Sequence, residues 1–338
     1  MVNPSRTLRH PFETDDLAFD IQRGDSRDVT RRFLISALAT TVFLVYQNTP
    51  HILQTIMSTI TINGRTMDAQ AFRDEAISFT DMMAKNARLD EPLPAGQDFS
   101  EAEDKELQTQ IQAMDILPQE AKSIMWAAFC AKHVSKLARN LCELSSETQP
   151  KAFSTHVQIL SLLPEAAQEP YYRLFLSSPQ SRSLSNLVGN AFARGIMWRR
   201  PSGPGCICGL LIELLFWCDP AEGDDKKSPM DASVRRRVAR KLASIKANSS
   251  FQYLPVVQRA DVERLEGVLT VVEQMPEDFY LNSTRNHLLG QVDCCGNEDC
   301  GEHPTMRCTR CKSVEYCGKK CQARHWKNGH KVRCFARE

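Results

Sequence analysis

Apolar positions recur every three to four residues along most of the chain, from about Asp25 to Leu289, which is the period of an amphipathic helix. The period-two alternation of a half-buried strand is hard to find there. The stretch "DVTRRFLISALATTVFLVYQ" opens this helical pattern. Further helices are predicted over Ala69–Leu89, Lys151–Leu162, Pro164–Leu176, Ser183–Trp198, Cys206–Phe216, Met230–Lys246 and Leu254–Gln274.

Helix-start signals support this interpretation. Ser100 followed by Glu103 is a capping box, in which each side chain satisfies one backbone N–H at the helix start. Pro118 opens "PQEAKSIMWAAFCAKHVSKLARNLCELSS", a single long predicted helix, at a position where its missing N–H costs nothing. Two polar stretches, Leu89–Ser100 and Asp219–Pro229, are predicted to be exposed loops. About ten helices with short connectors predict a mostly α fold, either a multi-helix bundle or an irregular α-solenoid.

Near Gly290 the hydrophobic period stops and cysteines begin. The predicted domains are a polar N-terminal segment (1–24), an all-helical domain (25–290) and a small C-terminal domain (291–338). The C-terminal domain is too short to bury enough apolar surface to fold by itself. It therefore requires another source of stability.

Eight of the 13 cysteines lie between Cys294 and Cys334. Within this block a regularly spaced set of thiols and one imidazole offers eight ligands, which suffice for two tetrahedral sites. Zn²⁺ suits such ligands, and a closed four-ligand shell is typical of a structural site. The candidate ligands are Cys295, Cys300, Cys308, Cys311, Cys317, Cys321, His330 and Cys334.

The first residues, Met1 to Asp28, contain no apolar core followed by a cleavage site, so an export signal is not expected. The most apolar run, Phe33–Tyr46, is shorter than the ~20 residues of a membrane span. A buried core helix explains it better than a signal anchor. We therefore expect an intracellular protein, in the nucleus or cytoplasm, where clustered thiols more often bind metal than form disulfides.

The pattern C-x2-C-x5-C-x3-CQxxHW…HKxxC, with an aromatic in "YC", resembles the MYND zinc finger over about the last 44 residues. The resemblance implies a cross-brace of two zinc ions. One ion would bind Cys295, Cys300, Cys317 and Cys321, and the other Cys308, Cys311, His330 and Cys334.

The sequence departs from the usual pattern in two places. The first pair is C-x4-C where C-x2-C is commonest, so Cys294 rivals Cys295 as a ligand. The gap before His330 is one residue longer than usual, and a loosened helix end at Asn328-Gly329 would absorb the extra residue. His325 competes with His330, but in the family pattern it matches a helix position that does not bind metal.

Fingers of this family with a known role are mostly protein-interaction modules, and some bind short proline-containing peptides. Transcriptional regulation is one setting that we consider for this chain. The resemblance implies peptide contacts at Thr309, Gln322 and Trp326. For Trp326, packing within the finger is an equally good explanation. A small hairpin, "TMRC" returning as "SVEYC", would present an edge strand to the peptide.

Charge argues against nucleic acid as the partner. The whole chain carries a net charge of +1, and the last 44 residues contain ten Lys/Arg and five Asp/Glu. Seven coordinating thiolates and two Zn²⁺ would reduce that local excess to +2, too small for a strong DNA-binding patch. The basic helix pattern Ser233–Lys246 is best interpreted as the solvated face of a packed helix, with nuclear import or nucleic-acid binding as alternatives.

The sequence shows no catalytic motif, and we expect that the protein is not an enzyme. A SET-type lysine methyltransferase would need a strand-rich fold, and "RNHLLG" (Arg285–Gly290) lacks the residues that should follow its Asn-His pair. Cys206, Cys208 and Cys218 are a further metal hypothesis, but small buried cysteines in an apolar helix explain them better. The prediction is therefore a zinc-binding interaction scaffold. The alternatives are a nucleic-acid-associated regulator and, less favoured, a methyltransferase-like enzyme.

Overall fold

The computed structural model describes residues 59–62, 64–196, 203–297 and 299–337. The predicted N-terminal segment (1–24) and the apolar run Phe33–Tyr46 lie outside these residues. The helices are α1 (Ala69–Asn86), α2 (Glu101–Asp115), α3 (Gln119–Lys132), α4 (Val134–Glu143), α5 (Pro150–Ser161), α6 (Pro170–Leu176), α7 (Leu184–Arg194), α8 (Pro204–Trp217), α9 (Ala232–Ala247), α10 (Val256–Gln274), α11 (Phe279–Val292), α12 (Lys319–His325) and α13 (Lys331–Arg333).

Strands are short and form two separate antiparallel hairpins in the described chain. The strands are β1 (Thr59–Ile62), β2 (Arg65–Asp68), β3 (Met306–Arg307) and β4 (Glu315–Tyr316). Single 3₁₀ turns cover Pro179–Ser181, Pro220–Glu222 and Ser249–Tyr253, and a π turn, Trp326–His330, joins α12 to α13. The prediction of a mostly α fold with a small C-terminal cysteine domain is confirmed.

The predicted capping box at the start of α2 is present. The backbone N–H of Glu103 donates to Ser100 Oγ at 3.3 Å, and the backbone N–H of Ser100 donates to Glu103 Oε2 at 2.9 Å. Arg88 also donates to Glu103, at 2.7 Å, and together with the cap it lowers the pKa of Glu103 to about 2. A charged carboxylate at this position is also stabilised by the positive end of the helix dipole.

The hairpin β1–β2 corrects the expectation that the chain is helical almost throughout. Thr59 pairs with Asp68 and Ile62 with Arg65. The sequence Asn63-Gly64 lies between the strands, and Gly64 adopts a φ of 77°, the left-handed conformation that a tight hairpin turn requires. Ile60 is buried, while its neighbours Thr59 and Thr61 are exposed. This alternation is too short to stand out in a search for period two.

Two of the predicted helices differ most from the structure in their bounds. The long helix after Pro118 is divided at His133, which leaves the helical conformation with a φ of −122° and brings its ring within 2.9 Å of Asp81 on α1. The helix expected to start at Pro164 begins instead at Pro170, where Glu169 accepts the N–H of Tyr171 at 3.1 Å. In both places a contact that the helical period cannot encode sets the boundary.

The core of the helical body is built around α8, which packs against α5, α7, α10 and α11. Most of its residues are buried; Leu211, Leu215 and Trp217 are 0% exposed. No described helix is long and apolar enough to cross a membrane. The helical body is therefore held together by apolar burial around one central helix.

The cysteines of α8 do not form a metal site. Cys206 is in the first turn and Cys218 just follows the last residue, about 18 Å away at the rise of an α-helix. Cys206 accepts a hydrogen bond from Gln258 at 2.8 Å. Burial raises the pKa of Cys218 to about 12 and also raises that of Cys208, as expected for thiols that serve as small apolar side chains.

The basic pattern on α9 is paired in part with neighbouring groups, whereas Arg236 and Arg240 are exposed. Arg235 is 1% exposed and binds Asp225 at 2.5 Å and Glu273 at 2.7 Å. Arg237 donates to Asn190, and Lys246 pairs with Glu266. Arg235 therefore holds the 219–229 loop against α9 and α10, which weakens the import and nucleic-acid interpretations of this helix.

Candidate metal centre

The β3–β4 hairpin organises the C-terminal domain. Met306 pairs with Tyr316 and Arg307 with Glu315, and Cys308 N–H donates to the carbonyl of Val314 at 2.9 Å. The turn of this hairpin carries Cys308 and Cys311, so a short tight loop points both sulfurs to one side. The positive φ of 56° at Lys312 closes the turn.

The first group of potential ligands comprises Cys295, Cys300, Cys317 and Cys321. Their sulfur atoms all lie within 4.8 Å of one another. The Sγ atoms of Cys300 and Cys317 are 3.5 Å apart, as are those of Cys317 and Cys321. Cys295 is buried, whereas the other three are half-buried.

A close backbone contact brings Cys295 to this group. The N–H of Gly296 donates to the carbonyl of Glu315 on β4 at 2.8 Å. A Cβ at Gly296 would lie 2.4 Å from Val314 Cγ1, so only glycine allows the approach. Cys317 follows β4 directly, and α12 supplies Cys321 one turn later.

The second group comprises Cys308, Cys311, His330 and Cys334, all of them buried. The Sγ atoms of Cys308 and Cys334 are 3.7 Å apart, and Cys311 Sγ is 3.7 Å from His330 Nε2. The turn of the hairpin thus faces the chain that follows α12. Ligand pairs of the two groups alternate along the sequence. Each metal ion would therefore join two segments of the chain that have a ligand pair of the other ion between them.

Both donor sets fit zinc. Tetrahedral Zn²⁺ with Zn–S bonds of about 2.3 Å places its sulfurs about 3.8 Å apart, close to the observed spacings of 3.5 and 3.7 Å. Four thiolates, or three thiolates and an imidazole, are typical of structural zinc and leave no open position for catalysis. The protein therefore has two cysteine/histidine groups able to bind zinc.

Electrostatics also favours a cation at each centre. A hydrogen bond with Cys321 and the neighbouring sulfur of Cys300 raise the pKa of Cys317 to about 12. In the second group, hydrogen bonds from Cys334 and His330 lower the pKa of Cys311 to about 3, while the pKa of Cys334 rises because Cys311 lies next to it. Thiols this close cannot all ionise by themselves, whereas a divalent ion deprotonates coordinating thiols outright.

The two rival ligands lie outside both groups. Cys294 is exposed, and its Sγ approaches the carbonyl of Gln291 at 3.6 Å. His325 is buried, accepts a hydrogen bond from Tyr316 at 3.0 Å, and stacks on His330 with ring centroids 4.9 Å apart. In this position His325 supports the ring of His330 and does not act as a metal ligand.

The extra residue before His330 is absorbed as expected. Asn328 has a ψ of 19° and Gly329 a φ of 120°, so the helix is interrupted within the π turn. Because Gly329 tolerates this left-handed conformation, the interruption can turn His330 towards Cys311 without strain. The chain then resumes as α13 and presents Cys334.

The three predicted peptide contacts are at least partly accessible. Thr309 is exposed on the hairpin turn, and Gln322 is half-buried on α12. Trp326 is half-buried, and its ring meets His330 edge-on with centroids 5.8 Å apart. Trp326 therefore takes part in packing within the finger, and the peptide role of all three residues stays a prediction.

Comparison with known proteins identifies the family of the C-terminal segment. The MYND finger family matches residues 293–334. Ubiquitin carboxyl-terminal hydrolase 19 of Arabidopsis thaliana is 54% identical over 35 residues, which cover 10% of this chain and 5% of that protein. Ubiquitin carboxyl-terminal hydrolase 17 of the same plant is 60% identical over 30 residues, which cover 9% and 4%. The chain thus spans only a small fraction of these relatives.

One relative extends beyond the finger. F-box protein At5g50450 of Arabidopsis thaliana is 33% identical over 122 residues, covering 31% of this chain and 35% of that protein. That share is larger than residues 293–338, so it includes part of the helical body. No solved structure matches the chain. Together with the two ligand groups, these matches show that residues 293–334 are a MYND finger, a zinc-binding protein-interaction domain, carried on a helical body.

Proposed function

We propose that this protein is an interaction scaffold whose finger captures a short, proline-containing segment of a partner protein. The observation that carries the proposal is a small hairpin beside the metal centres, one edge of which pairs with no further strand among the described residues. The helical body would contribute a second surface to the assembly. Regulators of transcription are the first class of partner to test.

The free edge belongs to β3. On β4, the carbonyl of Glu315 accepts the N–H of Gly296, so a neighbouring segment already covers its outer side. Cys308 and Val314 form a hydrogen-bonded pair, so the adjacent pair, Arg307 and Glu315, directs its backbone groups away from the hairpin. Arg307 therefore presents an N–H and a carbonyl to which an extended peptide could add as a further strand.

Three side chains of the finger have chemistry that suits a proline-containing segment. Trp326, which directly follows α12, offers an aromatic surface against which a proline ring can pack, and Gln322 on α12 offers both a donor and an acceptor. Thr309 adds a hydroxyl on the exposed turn. These groups would supply specificity, while the backbone of β3 would supply orientation.

We further propose that the chain acts by binding and not by catalysis. Similarity to the ubiquitin carboxyl-terminal hydrolases is confined to the finger, so it supports a shared binding module and not shared hydrolysis. Nucleic acid is the less favoured partner, because Arg235 of the basic helix is buried in ion pairs.

The test is a binding titration of the full-length protein with fluorescent proline-containing peptides and with matched peptides in which each proline is alanine. We expect Gln322→Ala and Trp326→Ala to weaken binding at least tenfold while two zinc ions remain bound. Cys311→Ser should abolish both peptide binding and one zinc site. Arg324→Ala, an exposed substitution on the same helix, is the control and should bind like wild type.

Two outcomes would contradict the proposal. Equal binding of the proline and alanine peptides would remove the proline-containing segment as the ligand. Wild-type binding by both Trp326→Ala and Cys311→Ser would show that the finger does not capture peptide at all.

A further inference from the structure

The chain that ends the finger is buried against the helical body. We call residues Lys331–Phe335 the docking segment; it comprises α13, the last metal ligand and the residue after it. Val332 is 4% exposed, Cys334 0% and Phe335 3%. Helix α13 packs against α1 and α3. The second metal group is therefore placed directly at the body, and its final ligand belongs to the contact.

Arg73 on α1 binds the docking segment in two ways. Its Nη2 donates to the carbonyl oxygen of Cys334 at 3.1 Å. Its guanidinium carbon lies 4.5 Å from the centroid of the Phe335 ring, a cation–π contact in a desolvated place. Arg73 is 6% exposed, so both contacts form away from water.

Tyr171 on α6 holds the same segment from another helix. Its hydroxyl oxygen accepts the N–H of Phe335 at 2.7 Å. The hydroxyl donates to the carbonyl of Phe335 at 2.9 Å, and the carbonyl of Arg333 lies 3.2 Å away. Tyr171 thus fixes the backbone on both sides of Cys334, while Arg73 fixes the carbonyl of Cys334 itself.

The charge of Arg73 needs a buried counter-charge. Its ion-pair partner Asp74 lies 3.4 Å away but is 69% exposed, so that pair is weak. Because Arg73 is only 6% exposed, its charge is largely removed from water, which is unfavourable without a nearby counter-charge. Three thiolates and a neutral imidazole around a divalent ion would leave one net negative charge beside Arg73, which would offset this cost.

We propose that Arg73 and Tyr171 are positioning residues of the second metal site, through which the helical body sets how tightly Cys308, Cys311, His330 and Cys334 hold zinc. The first site has no such support from these residues and three of its four ligands are half-buried. The inference rests on the zinc-binding finger and is independent of peptide capture. Groups that orient metal ligands typically change metal affinity by about 10–100-fold.

The test compares two neighbouring tyrosines in the full-length, zinc-loaded protein. Tyr171→Phe removes the hydroxyl that binds the docking segment. Tyr172→Phe is the matched control, because Tyr172 is equally buried and its hydroxyl has no hydrogen-bond partner among the described residues. Zinc transfer to a colorimetric chelator is followed in time. We expect one of the two ions to leave about 10–100-fold faster in Tyr171→Phe, with wild-type kinetics in Tyr172→Phe.

A second measurement identifies the site and covers the case in which Tyr171→Phe fails to fold. Cobalt(II) replaces zinc in wild type, Arg73→Lys and Arg73→Met, since its absorption spectrum distinguishes a site with three sulfurs and one nitrogen from one with four sulfurs. We expect Arg73→Met to weaken only the mixed site and Arg73→Lys to restore part of the affinity. Unchanged affinity at the mixed site, or equal weakening of both sites, would overturn the proposal.

Discussion

The helical body and the finger are stabilised by different means. In the body, α8 is surrounded by other helices, and side chains such as Leu215 and Phe216 are fully buried. In the finger, many of the buried positions are metal ligands, and the buried apolar side chains include Tyr316, Val332 and Phe335. The comparison teaches that a segment with little apolar surface can keep one structure if metal supplies the missing free energy.

The two regions are nevertheless not independent. The docking segment belongs to the finger by sequence but is buried between α1, α3 and α6 of the body. Substitutions in the body core should therefore leave zinc binding largely intact, whereas substitutions at the docking contacts should weaken zinc binding at the second metal site.

Removal of a metal ligand should have the largest effect and should be confined to the finger. Cys311→Ser should release one zinc ion and unfold the second half of the finger, because a structural zinc supplies about 10–16 kcal/mol in small finger peptides. Elemental analysis and amide hydrogen exchange over residues 295–334 measure this. Cys294→Ser, at an exposed thiol outside both groups, should keep both ions; loss of zinc there would contradict the assigned ligands.

A cavity in the body core should have the next largest effect and should spare the metal. Leu215→Ala should lower the free energy of unfolding of the body by about 2–5 kcal/mol, because Leu215 is 0% exposed on the central helix. Urea denaturation followed by circular dichroism measures the loss. Val257→Ala, at a residue that is 72% exposed, should change it by less than about 0.5 kcal/mol.

Acid should weaken the body through one buried histidine. His156 donates through Nδ1 to the carbonyl of Ala152 at 2.7 Å, and burial lowers its pKa from 6.5 to about 4. Because the unfolded chain then binds a proton at His156 that the folded chain does not, His156 contributes a loss of stability as the pH falls from 6.5 to 4. The loss should reach about 3 kcal/mol.

His156→Gln should remove this slope, because glutamine can still donate to Ala152 but does not titrate. Unfolding free energies of wild type and variant, measured in parallel from pH 7 to pH 4, give the difference directly, since protonation of the finger is common to both. His287→Gln, at an exposed histidine, is the control. A wild-type slope in His156→Gln would show that His156 is protonated in the folded protein.

Loss of the capping box should have the smallest effect. Ser100→Ala leaves the N–H of Glu103 without its side-chain acceptor and should cost about 1 kcal/mol of unfolding free energy. Thermal denaturation detects a change of this size. Ser78→Ala, an exposed position inside α1, should be neutral or slightly stabilising, because alanine has the higher helix propensity.

Local patterns in the sequence predicted most of the helices. The helical period located α1, α5 and α8–α10 to within a few residues, and Ser100 with Glu103 located the start of α2. The break at His133 was missed because its cause, Asp81, is 52 residues away in sequence. The hairpin β1–β2 was missed although Asn63-Gly64 is a typical turn pair, because each strand is only four residues long.

The candidate site was predictable for a chemical reason. Cysteines and histidine at short spacings have few uses besides metal binding, so ligand types and spacing indicate the site without any knowledge of the fold. The sharing of ligands between the two ions came from the family resemblance. Docking of the finger could not be predicted, because Arg73 and Cys334 are 261 residues apart and their contact passes through a backbone carbonyl that leaves no trace in the sequence.

The most direct measurement is zinc content combined with zinc X-ray absorption on the purified full-length protein. We expect two zinc ions per chain, bound by seven sulfur atoms and one imidazole nitrogen in all. A single ion, or an average shell in which oxygen replaces several of the sulfurs, would contradict the cross-braced finger on which the proposed functions depend.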